Sequence, residues 1–289
     1  DNLLEDVCAF ATWKTGKPVF YQFTREEEFI GCSTRHPMKI KVKLGATKDG
    51  KFTAMQMDVK ANTGPYGNHC LTVPMNACSK TLPLFLCKHV KFDINIFYSN
   101  IYPAGAYQGY GAPQGSFALQ TAIAELADEI GMDHGELIEK NRITRGSVLE
   151  ILKCLGEGTE GAVVTVASCG LDEAVELGKK AFDYGKKETS EDPDIEIGKG
   201  MVIVQQGSGL PGLDQSNARV TLLSDGSLTV HTGGSDIGTG LDTVCAKVAA
   251  EVLQADLNKV AVISGDTDNT PFDTGAYASS GTYFSGHAA

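Results

Sequence analysis

The sequence lacks an apolar run of the ~18 residues that a membrane-spanning helix needs, and it lacks a basic-then-apolar signal segment at its start. It also lacks an excess of positive charge, because 25 Lys and Arg stand against 36 Asp and Glu for a net charge of −11. That balance disfavours nucleic acid or an anionic membrane as a partner. The chain begins at Asp1 and not at a methionine, so we expect a piece of a longer or processed polypeptide.

Close cysteine pairs are missing too. The 8 cysteines stand at positions 8, 32, 70, 78, 87, 154, 169 and 245, and no two have the CxxC spacing of a zinc or iron–sulfur site. We interpret them as reduced, mostly buried thiols of a cytoplasmic protein. The GxxxxGK[ST] phosphate loop and the Rossmann GxGxxG after a strand are also absent, which argues against an ordinary nucleotide-binding domain.

Hydrophobic periodicity predicts an α+β chain with two related lobes. Each half has a β-hairpin around an Asp-Gly turn, then a polar or Gly-rich loop and a helix, which places the lobes at 1–155 and 156–289 with a linker at 156–161. The predicted elements are a helix over 1–15, a strand at 19–23, a hairpin over 38–61, a strand at 90–98, a helix from Pro113 to 130, a helix over 171–185, a hairpin over 219–230 and a helix over 241–252.

Three loops carry small and polar residues that a core would not need. The first Gly-rich loop (106–114) reads AYQGYGAPQ, the second (233–240) reads GGSDIGTG, and the third (274–282) reads TGAYASSGT. Two of them run directly into predicted helices, whose free backbone N–H groups suit a phosphate or another anion. Each loop taken singly is more often a plain turn and helix cap. Similarly, Tyr110 and Asn76 could be a half-buried core tyrosine and a turn residue.

Taken together and in order, these segments resemble a known family. Four segments are similar to the molybdopterin-binding large subunits of the xanthine dehydrogenase and aldehyde oxidase family, the molybdenum hydroxylases. They are TREEEFIGCSTRHP at 24–37, the first loop, GGSDIGTGL at 233–241 and DTDNTPFDTGAYASSGT at 266–282. Among its members, the chain most resembles the nicotinate dehydrogenases, whose molybdenum-binding portion is split between two polypeptides.

The resemblance implies cofactors and partners. Molybdenum would be held by molybdopterin, expected as a cytosine dinucleotide, with sulfur or selenium as a terminal ligand. A second molybdopterin subunit, an iron–sulfur subunit with [2Fe-2S] and a FAD subunit would complete the enzyme, with NAD(P) as final acceptor. The chain has no cysteine spacing or flavin signature of its own for those electron carriers.

The resemblance also implies roles for individual residues. Gln108 and Ala278 would lie beside the metal without ligating it, and Asn76, Tyr110, Ser208 and Gly209 would face the substrate. The residues matched to cofactor contacts are Gln108, Gly109, Gly111, Gly238, Thr239, Ala278, Ser279, Ser280, Gly281 and Thr282. The general base of the family is a Glu in a motif that has no match here, so we expect it outside this chain.

Two departures from the family pattern bear on the substrate. Gln108 stands where many members of the family have Arg, and Asn76 falls near the position of a substrate-facing Arg in purine-oxidising members. Both departures remove fixed positive charge and bidentate recognition. We therefore predict an uncharged pocket with one aromatic wall, suited to a small N-heteroaromatic substrate such as nicotinate. An aldehyde- or purine-oxidising enzyme, or a noncatalytic cofactor-carrier subunit, are the alternatives.

Overall fold

The computed structural model describes residues 4–149, 151–152, 163–210 and 212–289, and it divides into two compact units, Asp1–Gln205 and Gln206–Ala289. The linker predicted at 156–161 lies outside the described residues. The boundary between the two units, after Gln205, comes later in the chain than the predicted lobe boundary at 155. The limits of the two cofactor-binding lobes stay a prediction. In the described part of the chain, no helix has both the length and the apolar character needed to cross a membrane.

The first unit is built on a three-stranded sheet covered by helices. Its helices are α1 (Glu5–Thr15), α2 (Arg25–Gly31), α3 (Thr72–Ser79), α4 (Ala112–Ile130), α5 (His134–Asn141) and α6 (Leu171–Ala181). Its strands are β1 (Met38–Ala46), β2 (Phe52–Asn62), β3 (His89–Phe97), β4 (Val148–Leu149) and β5 (Val164–Thr165). β1 pairs antiparallel with β2, and β3 pairs parallel with β2.

Alternation of apolar and polar residues explains which face of this sheet is covered. In β1, exposed residues alternate with partly buried ones, as period-2 geometry requires, so its lysines point away from the core. The central strand β2 buries Met55, Met57 and Val59 almost completely. Leu119 and Ile123 of α4 and Leu137 of α5 belong to the same core, so both helices pack on one face of the sheet.

The second unit repeats this arrangement with shorter elements. It contains β6 (Ala218–Leu222), β7 (Leu228–Thr232), α7 (Leu241–Leu253), β8 (Val260–Ile263) and α8 (Gly281–Ala288). β6 pairs antiparallel with β7, and β8 pairs parallel with β7, just as β3 does with β2. From β1 to α4 in unit 1 and from β6 to α8 in unit 2, the order is therefore strand, strand, helix, strand, helix, which confirms the predicted α+β fold with related halves.

Most predicted elements are present, and the departures have local reasons. The strand predicted at 19–23 is wrong: these residues form no strand, and Phe20 is 85% exposed, so its apolar side chains have no sheet to join. The helix predicted over 171–185 ends at Ala181. The short helix α2 was not predicted, although Thr24 and Glu27 form the reciprocal capping box that marks its start.

Parallel pairing decides where the loops of each unit lie. Parallel strands have their carboxyl ends at the same sheet edge, where open α/β sheets commonly bind ligands. In unit 1 this edge carries the segment 63–71 between β2 and α3 and the segment 98–111 between β3 and α4. In unit 2 it carries the equivalent segments after β7 and β8. The second Gly-rich loop falls within these connections, and the first and third do so except for their last residues, which begin α4 and α8.

Two glycines let α4 approach α3 closely. A Cβ added at Gly111 would collide with the carbonyl oxygen of Val73, and one at Gly115 would collide with that of Ala77. Gly111 also has φ 90°, a conformation that favours glycine. The start of α4, and with it the first Gly-rich loop, is therefore seated directly on the backbone of α3.

We expect Gly115→Ala to lower the free energy of unfolding by about 1 to 3 kcal/mol, because the new methyl group must push α4 from α3. Chemical denaturation of the purified protein measures this change. The matched control is Gly178→Ala in α6, where nothing lies within 4 Å of the added Cβ. That change should be neutral or stabilising by up to about 1 kcal/mol, since alanine is the better helix former. Equal effects of both variants would contradict the close packing.

Candidate functional site

The first Gly-rich loop forms a tight turn at the start of α4. Tyr110 donates its backbone N–H to the carbonyl oxygen of Tyr107 at 2.8 Å, and Ala112 donates to that of Gly109 at 3.0 Å. Gly109 has φ 86°, and Tyr110 itself has φ 46°, which is unusual for a residue with a side chain. Non-glycine residues in this region tend to mark ligand sites, because the strain must be offset by surrounding contacts.

Arg35 holds this loop from the side. Its guanidinium donates to the carbonyl oxygen of Gln108 at 2.7 Å and to Oε1 of Gln114 at 3.4 Å, and it lies 4.6 Å from the Tyr107 ring centroid. Thr34 places it there, because Thr34 forms an isolated parallel bridge with Ala104. The uncharged character of the substrate pocket stays a prediction. Arg35 brings a guanidinium to the backbone of the first Gly-rich loop from a distant part of the chain.

Tyr110 is also held through its hydroxyl group. His69 Nδ1 and Thr72 Oγ1 each lie 2.6 Å from the Tyr110 hydroxyl oxygen. The His69 and Tyr110 rings meet edge to face, with centroids 5.5 Å apart. Sequence reasoning missed Arg35, His69 and Thr72. The signals that the sequence offered were the capping-box segment upstream of Arg35 and the turn glycines upstream of His69.

Asn76 lies inside α3, next to this cluster. Its side-chain amide donates to the backbone oxygen of Thr72 at 3.0 Å, and its Oδ1 accepts from Ser79 at 3.1 Å. The side chain is only 1% exposed within this chain. Its role as a substrate contact stays a prediction, and its bonds within α3 stabilise the helix that carries Thr72.

The second Gly-rich loop is organised by a carboxylate of its own. Asp236 accepts hydrogen bonds from the backbone N–H groups of Gly238 at 2.9 Å, Gly240 at 3.0 Å and Asp242 at 3.4 Å. Burial acts to raise the pKa of Asp236, but the backbone donors, Thr239 among them, together hold that pKa below its usual value. The sequence predicts that these N–H groups meet an external anion, whereas the structure shows that Asp236 already occupies them.

The third Gly-rich loop contains two further residues in the left-handed region, Ala278 at φ 50° and Ser279 at φ 54°. The backbone N–H of Gly209 donates to the carbonyl oxygen of Ala278 at 2.8 Å, and Gln206 Nε2 donates to Ser279 Oγ at 3.4 Å. The structure therefore brings the predicted substrate segment around Gly209 against the loop that contains the predicted cofactor contacts. Ser208, next to it, is exposed.

The hydroxyl groups at these loops differ in what they face. Thr239, Ser279 and Thr282 are exposed, whereas Ser280 is buried and donates its hydroxyl to the carbonyl oxygen of Tyr277 at 2.8 Å. Gly281 begins α8 directly after it. The assignment of these residues as cofactor contacts stays a prediction. For Ser280, the hydroxyl already stabilises the turn before α8.

The first Gly-rich loop belongs to unit 1 and the other two belong to unit 2. Convergence of all three on one ligand stays a prediction. Among the residues that the structure describes, no group of three or more His, Cys, Asp or Glu side chains is placed to hold a metal ion. The positions of Gln108 and Ala278 beside a metal likewise stay predictions.

Comparison with known protein families assigns both halves of the chain. Residues 1–142 match a molybdopterin cofactor-binding domain, and residues 177–289 match a second domain of the same description. The two matched regions contain the three Gly-rich loops. Each half of the repeated fold thus corresponds to a domain type that binds molybdopterin.

Individual relatives agree with this assignment. The chain is 53% identical over 290 residues to the probable hypoxanthine oxidase XdhD of Escherichia coli, matching 100% of this chain and 30% of that protein. It is 32% identical over 166 residues to the nicotinate dehydrogenase large molybdopterin subunit of Eubacterium barkeri, matching 54% of this chain and 39% of that subunit. The aldehyde oxidoreductase structure from Desulfovibrio desulfuricans superposes with a TM-score of 0.82 at 25% identity, covering 99% of this chain and 31% of that one. The chain therefore spans about a third of the length of these relatives.

We expect Asp236→Ala to destabilise unit 2 at neutral pH, because three backbone N–H groups lose their acceptor. A carboxyl whose pKa is lowered on folding contributes stability above its unfolded pKa and loses it as the pH falls through the folded value. The difference in Tm between wild type and variant should therefore be largest near neutral pH and shrink below about pH 4.

The control is Asp268→Ala, which removes an exposed carboxylate of the same unit. Scanning calorimetry across this pH range measures both variants. If the Asp236→Ala difference did not vary with pH, or if the control reproduced it, the proposed role of the carboxylate in organising the loop would be wrong.

Proposed function

The chain belongs to the xanthine dehydrogenase and aldehyde oxidase family of molybdenum hydroxylases, and we propose that it forms the molybdopterin-binding part of an enzyme that hydroxylates a carbon of an N-heteroaromatic ring. The observation that carries this is the strained, glycine-flanked loop with Tyr110, whose ring is fixed at the edge of a matched cofactor-binding domain. The proposed substrate and reaction extend beyond the family assignment.

The residues of unit 2 fit a phosphate-bearing pterin. Gly238 and Gly240 have positive φ values, and nothing lies within 4 Å of a Cβ added at either, so a ligand can approach the loop backbone. Thr239 of this loop and Ser279 and Thr282 of the third Gly-rich loop carry exposed hydroxyl groups. Because Asp236 takes up the backbone N–H groups of the loop, we propose that these hydroxyls contact the phosphate oxygens. A cytosine dinucleotide form of the cofactor is part of the same proposal.

The bound molybdenum cofactor would supply the two-electron chemistry that transfers an oxygen atom from water to the ring carbon. Gln108 would contribute an uncharged amide that both donates and accepts hydrogen bonds and can orient a ring nitrogen or a water molecule. Tyr110 would contribute an aromatic face for stacking. We assign no general base to this chain, because none of its Glu residues lies in a matching motif.

A purine is the first candidate for the ring. The relative named as a probable hypoxanthine oxidase is 53% identical over the whole chain, which is closer than the nicotinate dehydrogenase subunit at 32% over 54% of it. The guanidinium of Arg35 also restores a positive charge near Gln108, which weakens the argument from sequence against purines. Nicotinate remains the second candidate, supported by the uncharged amide at position 108.

The partners in electron transfer are proposed from the family. A hydroxylation with water releases two electrons, which must leave the site. The electron path would be completed by subunits or domains with [2Fe-2S] and FAD, a second molybdopterin-binding polypeptide, and NAD(P) as acceptor. Sulfur or selenium would complete the metal coordination. We also propose a cytoplasmic location, which agrees with the free cysteines among the described residues. A noncatalytic cofactor carrier would use the same loops but hydroxylate no substrate.

We expect Thr239→Glu to lower the molybdenum and pterin content of the purified holoenzyme severalfold, because a carboxylate would repel a phosphate next to it. Metal analysis and fluorescence of the released pterin measure the two contents. Thr221→Glu is the matched control, since Thr221 is an exposed threonine on β6 outside the loops. Full cofactor content in Thr239→Glu would remove this residue from the site.

We expect Tyr110→Ala to reduce kcat/KM for ring substrates by about one to two decades, equivalent to about 1 to 3 kcal/mol of transition-state stabilisation, with the metal still bound. Gln108→Arg should change which rings are accepted, because it replaces an amide by a cation. A panel of hypoxanthine, nicotinate and an aliphatic aldehyde measures both effects. An unchanged substrate ranking in both variants with intact cofactor would mean that specificity lies in other parts of the enzyme. No turnover of any substrate by cofactor-loaded wild type would favour the carrier.

A further inference from the structure

We propose that His69, together with Thr72, is a positioning residue that fixes the Tyr110 ring, so that Tyr110 presents an aromatic face and not a free hydroxyl to the substrate. This rests on the proposed function, in which Tyr110 contacts a ring substrate. His69 lies outside all the motifs that resemble the family, and its role follows from its contacts alone.

The contacts are short and come from two directions. The Tyr110 hydroxyl oxygen lies 2.6 Å from His69 Nδ1 and 2.6 Å from Thr72 Oγ1. A phenolic hydroxyl has one proton to donate, so it donates a hydrogen bond to one of these two neighbours and accepts one from the other. Burial lowers the pKa of His69, which favours the neutral imidazole that can accept that proton. The edge-to-face contact of the two rings adds a second restraint on the orientation of Tyr110.

The backbone of both partners is unusual in the same way. His69 has φ 53° and Tyr110 has φ 46°, so two residues with large side chains adopt the left-handed conformation and hydrogen-bond to each other. Such strain persists only where surrounding contacts compensate for it. A mere core contact would not need either backbone to be strained. The pair therefore has the character of a site whose geometry is held in advance of ligand binding.

The repeated fold gives an independent reason to place His69 at the site. His69 lies between β2 and α3, and the equivalent connection in unit 2, between β7 and α7, is the second Gly-rich loop. Both connections leave a central strand at the edge where the parallel third strand also ends. The segment 63–71 is thus the counterpart in unit 1 of a loop that resembles cofactor-binding loops of the family.

The test uses the assembled holoenzyme with the variants His69→Ala, Tyr110→Phe and the double variant. Each single change should reduce kcat/KM for hypoxanthine about three- to tenfold, as expected for one lost hydrogen bond. The double variant should lose clearly less than the product of the two single losses, because both changes remove the bond between His69 and Tyr110. Oxidation of an aliphatic aldehyde, which has no ring to stack, should change less than twofold. Molybdenum content should stay at the wild-type level.

His89→Ala is the matched control, since His89 is an exposed histidine on β3 of the same unit. Dissociation constants for an unreactive purine, measured by calorimetry, give the same comparison without turnover. Single effects that multiply in the double variant, equal losses for ring and aldehyde substrates, or wild-type purine affinity in His69→Ala would overturn the proposal. A wild-type holoenzyme with full molybdenum that neither oxidises nor binds any ring would instead contradict the proposed function.

Discussion

Parallel pairing of the third strand with the second, present once in each unit, is the constraint on which the candidate site depends. In a hairpin alone, only the connection after the second strand would lie at this edge, and the position of the following chain would not be constrained. Because β3 lies parallel to β2, and β8 to β7, two helix-entering loops meet at one edge in each unit. The His69 turn and the first Gly-rich loop meet in this way, as do the second and third loops.

Close packing beneath these loops fixes their shape. Gly111 and Gly115 bring α4 onto the carbonyl groups of α3, which leaves the first loop little freedom to move. Among the described residues, six non-glycine residues have positive φ, and four of them, His69, Tyr110, Ala278 and Ser279, lie in the site segments. Each costs about 1 to 3 kcal/mol, so this concentration indicates that stability is given up locally for a defined ligand surface.

Charged side chains of the chain itself hydrogen-bond to the backbone of the loops, whereas uncharged polar groups of the loops face outwards. Asp236 accepts from the backbone of the second loop, and Arg35 donates to the backbone of the first. Charged groups make the stronger hydrogen bonds, which suits a structural role in partly exposed loops. Hydroxyls and the Gln108 amide remain at the surface. Such groups can bind a polar cofactor or ring without the larger desolvation cost of a buried charge.

The sequence by itself determined the fold class, both hairpins, the helices α4 and α7 and the three Gly-rich loops, because each depends on local periodicity or on glycine between elements. It also determined the family, since four segments in a fixed order are far more specific than any one loop. It could not show His69, Thr72, Arg35 or Asp236 in their roles. His69 and Thr72 are 41 and 38 residues from Tyr110, so only the parallel strand pairing and the packing of α4 on α3 bring them together. Arg35 is 73 residues from Gln108, and the bridge between Thr34 and Ala104 places it there. Asp236 lies within its loop, yet whether its carboxylate or an outside anion meets the backbone N–H groups depends on side-chain direction, which the tertiary structure alone decided.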